Sequence, residues 1–389
     1  MRGVTLGRVF DIPVRLNFSF LLVLPLFAWL ISGDVSALAG LMDDLLGTAL
    51  PAEALATAPL RYALGLAAAT GLFLSVLVHE FGHSLVARRY GYEIDSITLW
   101  LFGGVARLVT MPEDWRHELV IAVVGPVVSV VLGAGCYALL LAVPGSFPAA
   151  QFVVAYLAVT NVALAVFNML PGFPMDGGRV LRAFLARNQP YARATKQAAE
   201  VGKGFAFLLG IVGLFANLLL IALAFFIYMG ASSEAQQTAM RAAFEDVVVA
   251  DVMTPRDRLD VVDEDTTVAE LLDRMVDERH TGYPVMRGGE LVGLVTLGDA
   301  RAVREVERDA YTVGEVMTDD LAWVAAGDDV MRAIETMGEH DVGRLPVHDA
   351  EGALAGFVTR TDVMTAFEIL QQRGTTDVSP DRVPDVDPR

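Results

Sequence analysis

Between Leu60 and Ala87 the chain reads LRYALGLAAATGLFLSVLVHEFGHSLVA, apolar apart from Arg61 and the short motif His79-Glu80-Phe81-Gly82-His83. A run of this length is enough to cross a bilayer as one helix. On that helix His79 and His83, four residues apart, project from one face and can grip a single metal ion. Glu80, beside the first of them, can reach a water at that metal as general base. Ionisable groups at membrane depth cost about 2.5–3.5 kcal/mol each on insertion scales, so they are seldom kept there without a task. Two other readings stay open on these residues alone: a buried histidine pair satisfied by hydrogen bonds, or a transporter that binds metal without hydrolysis.

Further apolar segments lie near 17–33, 118–143, 151–170 and 203–230,. The last is long for one crossing and short for two, and Lys203, Gly210, Gly213 and Asn217 allow two short or tilted helices. The fold class expected is therefore an α-helical polytopic membrane protein of about six transmembrane helices, with a soluble C-terminal half. Residues 17–33 read as a retained helix and not a signal peptide, because no small-residue cleavage site follows them. Ile94–Val109 is too short to span as a helix and carries Gly103-Gly104, so a re-entrant loop or strand pair is expected there,. Gly125-Pro126 reads as a kink and close-packing device.

Charge divides the chain sharply. Residues 1–230 hold 14 basic and 13 acidic side chains, whereas 231–389 hold 15 and 34. The acidic half excludes nucleic acid as a partner, since that needs basic surface. Only Lys196 and Lys203 are lysines, a bias that fits a high-salt cytoplasm or a GC-rich genome. Cys136 stands alone, so no disulfide forms within the chain,. Arg2, Arg8 and Arg15 before the first span, and Arg88 and Arg89 after the second, place the N-terminus in the cytoplasm of a multi-pass cell-membrane protein,. An even number of spans then puts the acidic half in the cytoplasm too. His79 precedes Arg88 by nine residues, about 13 Å of helix, so the motif lies within the membrane toward that side.

A catalytic zinc site needs a third protein ligand. The best candidate is Asp176 in Asn168-Met-Leu-Pro-Gly-Phe-Pro-Met-Asp176-Gly177-Gly178, where two prolines end a helix and two glycines allow close backbone approach,. Asp176 reads equally well as the N-cap of the next helix. Asn168 reads either as an interhelical hydrogen-bonder, with Asn161 seven residues earlier on the same face, or as a donor to a developing oxyanion.

An intramembrane HExxH paired with NxxPxxPxDGG resembles the site-2 protease family of intramembrane metalloproteases, over roughly residues 1–230. The resemblance implies that His79, His83 and Asp176 bind one zinc ion and that Glu80 activates water. It also implies that Asn168 assists at the substrate carbonyl, and that Phe102–Arg107 (FGGVAR) forms an embedded edge beside a transmembrane protein substrate. Met175 departs mildly from the Leu common at that position.

Residues 245–369 contain an internal repeat. Asp251-Val-Met-Thr254 recurs as Glu315-Val-Met-Thr318, Tyr283-Pro-Val285 as Leu345-Pro-Val347, and Gly293–Asp299 as Gly356–Asp362,. Each unit carries an amphipathic helix, Val268–Asp277 or Val330–Gly338, then two short strands and another helix. This resembles a tandem CBS pair of α/β fold. The resemblance implies an adenine nucleotide such as ATP between the repeats, with Asp299 and Asp362 toward ribose and Thr296 and Thr359 toward phosphate. The same threonines and aspartates read equally as helix caps, and a purely dimerising role through the CBS repeats is the competing expectation. The domains expected are 1–230 catalytic, 231–244 linker, 245–306 and 307–370 CBS repeats, and 371–389 a disordered tail. A CBS-gated cation transporter or channel is the alternative function, disfavoured because residues 1–230 contain no repeat.

Overall fold

The computed structural model describes residues 3–100, 103–108, 112 and 114–376, and the chain divides into two compact units, Met1–Thr238 and Ala239–Arg389. In the first unit, β1 (Gly3–Val9) and β2 (Ile12–Asn17) form a hairpin whose turn residues, Phe10 and Asp11, both have positive φ. Then follow α1 (Phe20–Gly33), α2 (Val35–Leu46), α3 (Ala52–Leu55) and α4 (Leu60–Arg89), the helix that carries the HExxH motif. β3 (Ile94–Trp100) and β4 (Gly103–Leu108) extend the hairpin into one sheet of order β1-β2-β3-β4, so β4 is an edge. The strand pair expected near Gly103-Gly104 is thus part of a larger sheet. Of the FGGVAR stretch, Phe102 lies outside the described residues.

Helices α5 (Trp115–Ala142), α6 (Pro148–Asn168), α7 (Asp176–Ala186), α8 (Tyr191–Ala216) and α9 (Leu218–Ala243) complete the unit. Helices α4, α5, α6, α8 and α9 are each long and apolar enough to cross a membrane, and a sixth crossing is available if α1 and α2, bent by 74°, are taken together. The long apolar segment near 203–230 therefore belongs to two helices. They break at Asn217, whose Oδ1 accepts from the Leu219 amide. Small residues let the helices touch: a Cβ on Gly65 of α4 would meet Ala28 O of α1 at 2.3 Å, and one on Gly133 of α5 would meet Ala158 O of α6 at 3.1 Å,. Outward-facing side chains such as Leu22, Val131, Leu141, Phe207 and Phe215 are exposed, as a lipid-facing surface requires,.

The segment expected as a linker, 231–244, is helical to Ala243. The second unit holds two like halves. The first has α10 (Val249–Val252), β5 (Thr254–Pro255), β6 (Val262–Asp263), α11 (Val268–Glu278), β7 (Gly282–Arg287), β8 (Glu290–Thr296) and α12 (Leu297–Ala302). The second has α13 (Val313–Val316), β9 (Val324–Ala325), α14 (Val330–Glu339), β10 (Arg344–His348), β11 (Leu354–Thr359) and α15 (Arg360–Thr376). The first half lends strand β5 to the sheet of the second, and the second returns a single bridge at Thr318. Thr254 and Pro255 pair with Phe357 and Gly356, and Thr318 bridges Leu294. The repeated glycines make room: a Cβ on Gly293 would meet Met317 Sδ at 2.5 Å, and one on Gly356 would meet Thr254 O. Part of the expected tail, 371–376, is the end of α15, and 377–389 lie outside the described residues.

Candidate metal centre

The HExxH face of α4 meets α5 and the start of α7. His79 Nε2 and His83 Nε2 are 3.1 Å apart, and Asp176 Oδ2 lies 3.2 Å from the first and 3.1 Å from the second. All three residues are buried. Their other ring nitrogens are held by α5: His79 Nδ1 pairs with Ser129 Oγ at 2.9 Å, and His83 Nδ1 with Ile121 O at 2.6 Å. Fixing Nδ1 in this way turns each Nε2 toward the common point.

The donor set fits zinc. Tetrahedral coordination at about 2.0–2.1 Å separates donors by about 3.3 Å, close to the triangle observed. Gly125 of α5 faces the triangle, and a Cβ there would sit 2.2 Å from His83 Nε2 and 2.7 Å from His79 Nε2. The glycine thus keeps open the volume an ion needs. Asp176 is the first residue of α7, with Met175 at the cap position, so its carboxylate faces the histidines and is not the N-cap. Gly177 and Gly178 do permit close approach, to the 169–173 backbone: a Cβ on Gly177 would meet Leu170 O at 2.2 Å.

Glu80 is half-buried on α4, and a Cβ on Gly104 would meet its Cγ at 2.5 Å, so β4 lies directly against the glutamate. Asn168 ends α6 and donates to Leu164 O of its own helix at 3.0 Å, a bond that does not join it to the donor triangle. Asn161 is buried and donates to Ser75 Oγ of α4, as an interhelical bonder does. Sequence reasoning missed the roles of Gly104, Ile121, Gly125 and Ser129. Gly104, in its Gly-Gly pair, and Gly125, in its Gly-Pro pair, carried local signals, which pointed to a re-entrant turn and to packing.

In the second unit, one cleft of about 620 Å³ is lined by Arg258, Arg279, Arg344, Asp260, Thr359 and Asp362. A second, of about 550 Å³, is lined by Thr296, Asp299, Asp320, Asp341, His340 and Arg344. Both Thr–Asp pairs close on themselves: Asp299 Oδ2 accepts from Thr296 N and Oγ1, and Asp362 Oδ2 from Thr359 N and Oγ1. Arg344 reaches across the repeats to Gly282 O at 2.6 Å and Thr281 Oγ1 at 3.2 Å. Burial lowers its pKa, against the opposing pull of Asp362. His280 is exposed with Asp260 and Glu278, and Glu278 already accepts from Arg274 and Tyr283.

A buried two-histidine, one-aspartate site built on a helix long enough to cross a membrane, followed by an α/β repeat pair, defines an intramembrane metallohydrolase with an appended CBS unit. The sequence matches Peptidase family M50 over residues 67–152 and 145–210, and CBS domains over 249–305 and 313–369. A zinc metalloprotease of Methanocaldococcus jannaschii is 35% identical over 77% of this chain and 84% of that protein. Rip3 of Mycobacterium tuberculosis is 32% identical over 97% of each chain. The solved site-2 protease from M. jannaschii covers 60% of this chain and 95% of its own, at 31% identity and a TM-score of 0.42. The chain belongs to peptidase family M50, the site-2 type zinc metalloproteases, and is a multi-pass membrane peptidase with a tandem CBS pair. The transporter alternative is not favoured.

Proposed function

We propose that His79, His83 and Asp176 hold one zinc ion and that Glu80 is the general base for cleaving a peptide bond in or near a substrate's transmembrane segment. The observation that carries this reading is the convergence of three donor atoms within 3.2 Å of one another, beside Glu80, two of them on a helix of membrane-spanning length and the third at the start of the short helix α7. A zinc ion held there supplies Lewis acidity and lowers the pKa of a water. Glu80 accepts a proton from the attacking water as its oxygen bonds to the scissile carbonyl carbon, and passes that proton to the leaving amine as the C–N bond breaks. Ser129 and Ile121 keep the histidine rings aimed throughout. Asn168 serves as a donor to the substrate carbonyl after turning from Leu164 O. A transmembrane helix hides its amides, so the substrate must first be extended, and the free edge of β4 beside Glu80 suits pairing with an extended strand,.

The test is Glu80→Gln in purified protein, given single-span membrane proteins with and without chelator. Cleavage is expected to vanish while about one zinc per chain remains. His79→Ala, His83→Ala and Asp176→Ala are expected to lose metal and activity together. Loss of zinc from Glu80→Gln overturns the assigned roles.

For the CBS pair we propose an adenine nucleotide in the cleft of Thr359 and Asp362. Arg258, Arg279 and Arg344 there outnumber Asp260 and Asp362 and suit a polyphosphate, whereas three aspartates face the one arginine of the Thr296–Asp299 cleft. Asp362 Oδ1 is the atom offered to ribose hydroxyls. Calorimetry on full-length protein in detergent is expected to register ATP or AMP binding that Arg344→Ala weakens at least about tenfold, in the range of a lost charged hydrogen bond. No heat of binding with either nucleotide would return the pair to the dimerising role.

A further inference from the structure

Arg182 is only 2% exposed and is the largest fully buried side chain among the described residues. It sits six residues after Asp176 on α7, yet neither substrate chemistry nor metal donation uses it. Its guanidinium is engaged on every side. Nε donates to Glu118 Oε1 of α5 at 2.7 Å, and Nη1 donates to Glu234 Oε1 of α9 at 2.5 Å. The group lies 4.9 Å from the Phe173 ring centre and 4.8 Å from that of Tyr191. The Tyr191 hydroxyl donates to the same Glu118 oxygen at 3.4 Å. Glu118 is itself 4% exposed, and its Oε2 has no partner among the described residues.

Stability alone does not account for such a group, because apolar side chains of like volume often do as well in a buried place. What an arginine fork adds is direction. α5 carries Ile121, Gly125 and Ser129, which frame His79 and His83, while α7 carries Asp176. Glu118 precedes Gly125 by seven residues and Arg182 follows Asp176 by six, about 10 Å and 9 Å along their helices. The start of α7 is fixed by Gly177 and Gly178 against the 169–173 backbone. Arg182 fixes the other end, and two fixed points set the helix's angle.

We propose that Arg182 is a positioning residue for metal binding: through Glu118 it holds α7 at the angle that brings Asp176 to the two histidines, with Glu234 as a second hold from α9. The proposal rests on the zinc-site reading. The test is zinc affinity of full-length protein in detergent, by competition with a chromophoric chelator, alongside melting of the zinc-free protein. Arg182→Gln is expected to raise the zinc Kd at least about tenfold, as loss of a residue that supports ligands does, with Arg182→Lys falling between it and wild type. Excess zinc is expected to restore kcat to Arg182→Gln but not to Glu80→Gln, and zinc-free Arg182→Gln is expected to melt close to zinc-free wild type, which general destabilisation does not give. Glu118→Gln and Glu234→Gln, which keep the side-chain shape, are expected to raise the Kd by smaller factors and decide the matter if Arg182→Gln does not fold. Wild-type zinc affinity in every variant that folds overturns the proposal. Retention of zinc by Asp176→Ala overturns instead the donor assignment on which it rests.

Discussion

The proposed metal centre depends as much on an absent side chain as on the three that are present. Gly125 is the one residue of α5 whose Cβ would enter the donor triangle, 2.2 Å from His83 Nε2. Gly125→Ala leaves α5's hydrogen bonding intact and adds good helix propensity, since alanine is the better helix former by about 1 kcal/mol. It is nevertheless expected to bind less than about a tenth of the zinc, in line with the cost of disturbing ligand support. Metal analysis of the purified variant checks this, and full zinc occupancy would sink the idea that the glycine holds the site open. The histidines, Glu80 and Asp176 were legible in the sequence because HExxH has a helical spacing that chemistry explains, and DGG flags a close approach. Ser129 and Gly104 were not, because a hydroxyl behind a ring and a gap beside a glutamate exist only once α4, α5 and β4 are side by side. Asn168 stands between these cases, named by its motif but found bonded to its own helix.

At the scale of elements, continuous apolar runs announced the spanning helices, but not where one ends within such a run. The break between α8 and α9 rests on Asn217 in extended conformation, a single polar residue among leucines. The N-terminal hairpin was also hidden. Its two-residue turn uses Phe10 and Asp11 at φ 52° and 62°, without the Asn-Gly pair that usually marks such turns,. In the second unit the amphipathic helices appeared within a residue of expectation, each started by a side-chain cap, Thr267 on α11 and Asp329 on α14. The pairing between halves did not appear, although its participants were in view as repeated motifs. Met253-Thr254 and Met317-Thr318 look alike because each packs on the other half's glycine, Gly356 or Gly293. Identity between repeats reveals kinship. Which copy partners which is a tertiary fact.

At the scale of the whole molecule, the charge asymmetry and the number of crossings make a joint claim about sidedness. With six crossings, arginines flanking the first two spans predict that both the N-terminus and the acidic half face the cytoplasm,. In a Cys136→Ser background, a cysteine at the exposed turn residue Ala350 is expected to react with an impermeant maleimide only after cells are opened. Labelling from outside intact cells would reverse the assignment. The pairings between the two halves also impose an order on biosynthesis. Thr254 must wait for Phe357, and Leu294 for Thr318, before either sheet is complete. Chains grow at about 5–20 residues per second, so the roughly 100 residues from Thr254 to Phe357 take about 5–20 s to make. Throughout that time the peptidase half has already left the ribosome, with open β edges trailing behind it. A nascent chain that stalls in its last third is therefore a peptidase without a closed CBS pair, and a target for chaperones or for removal.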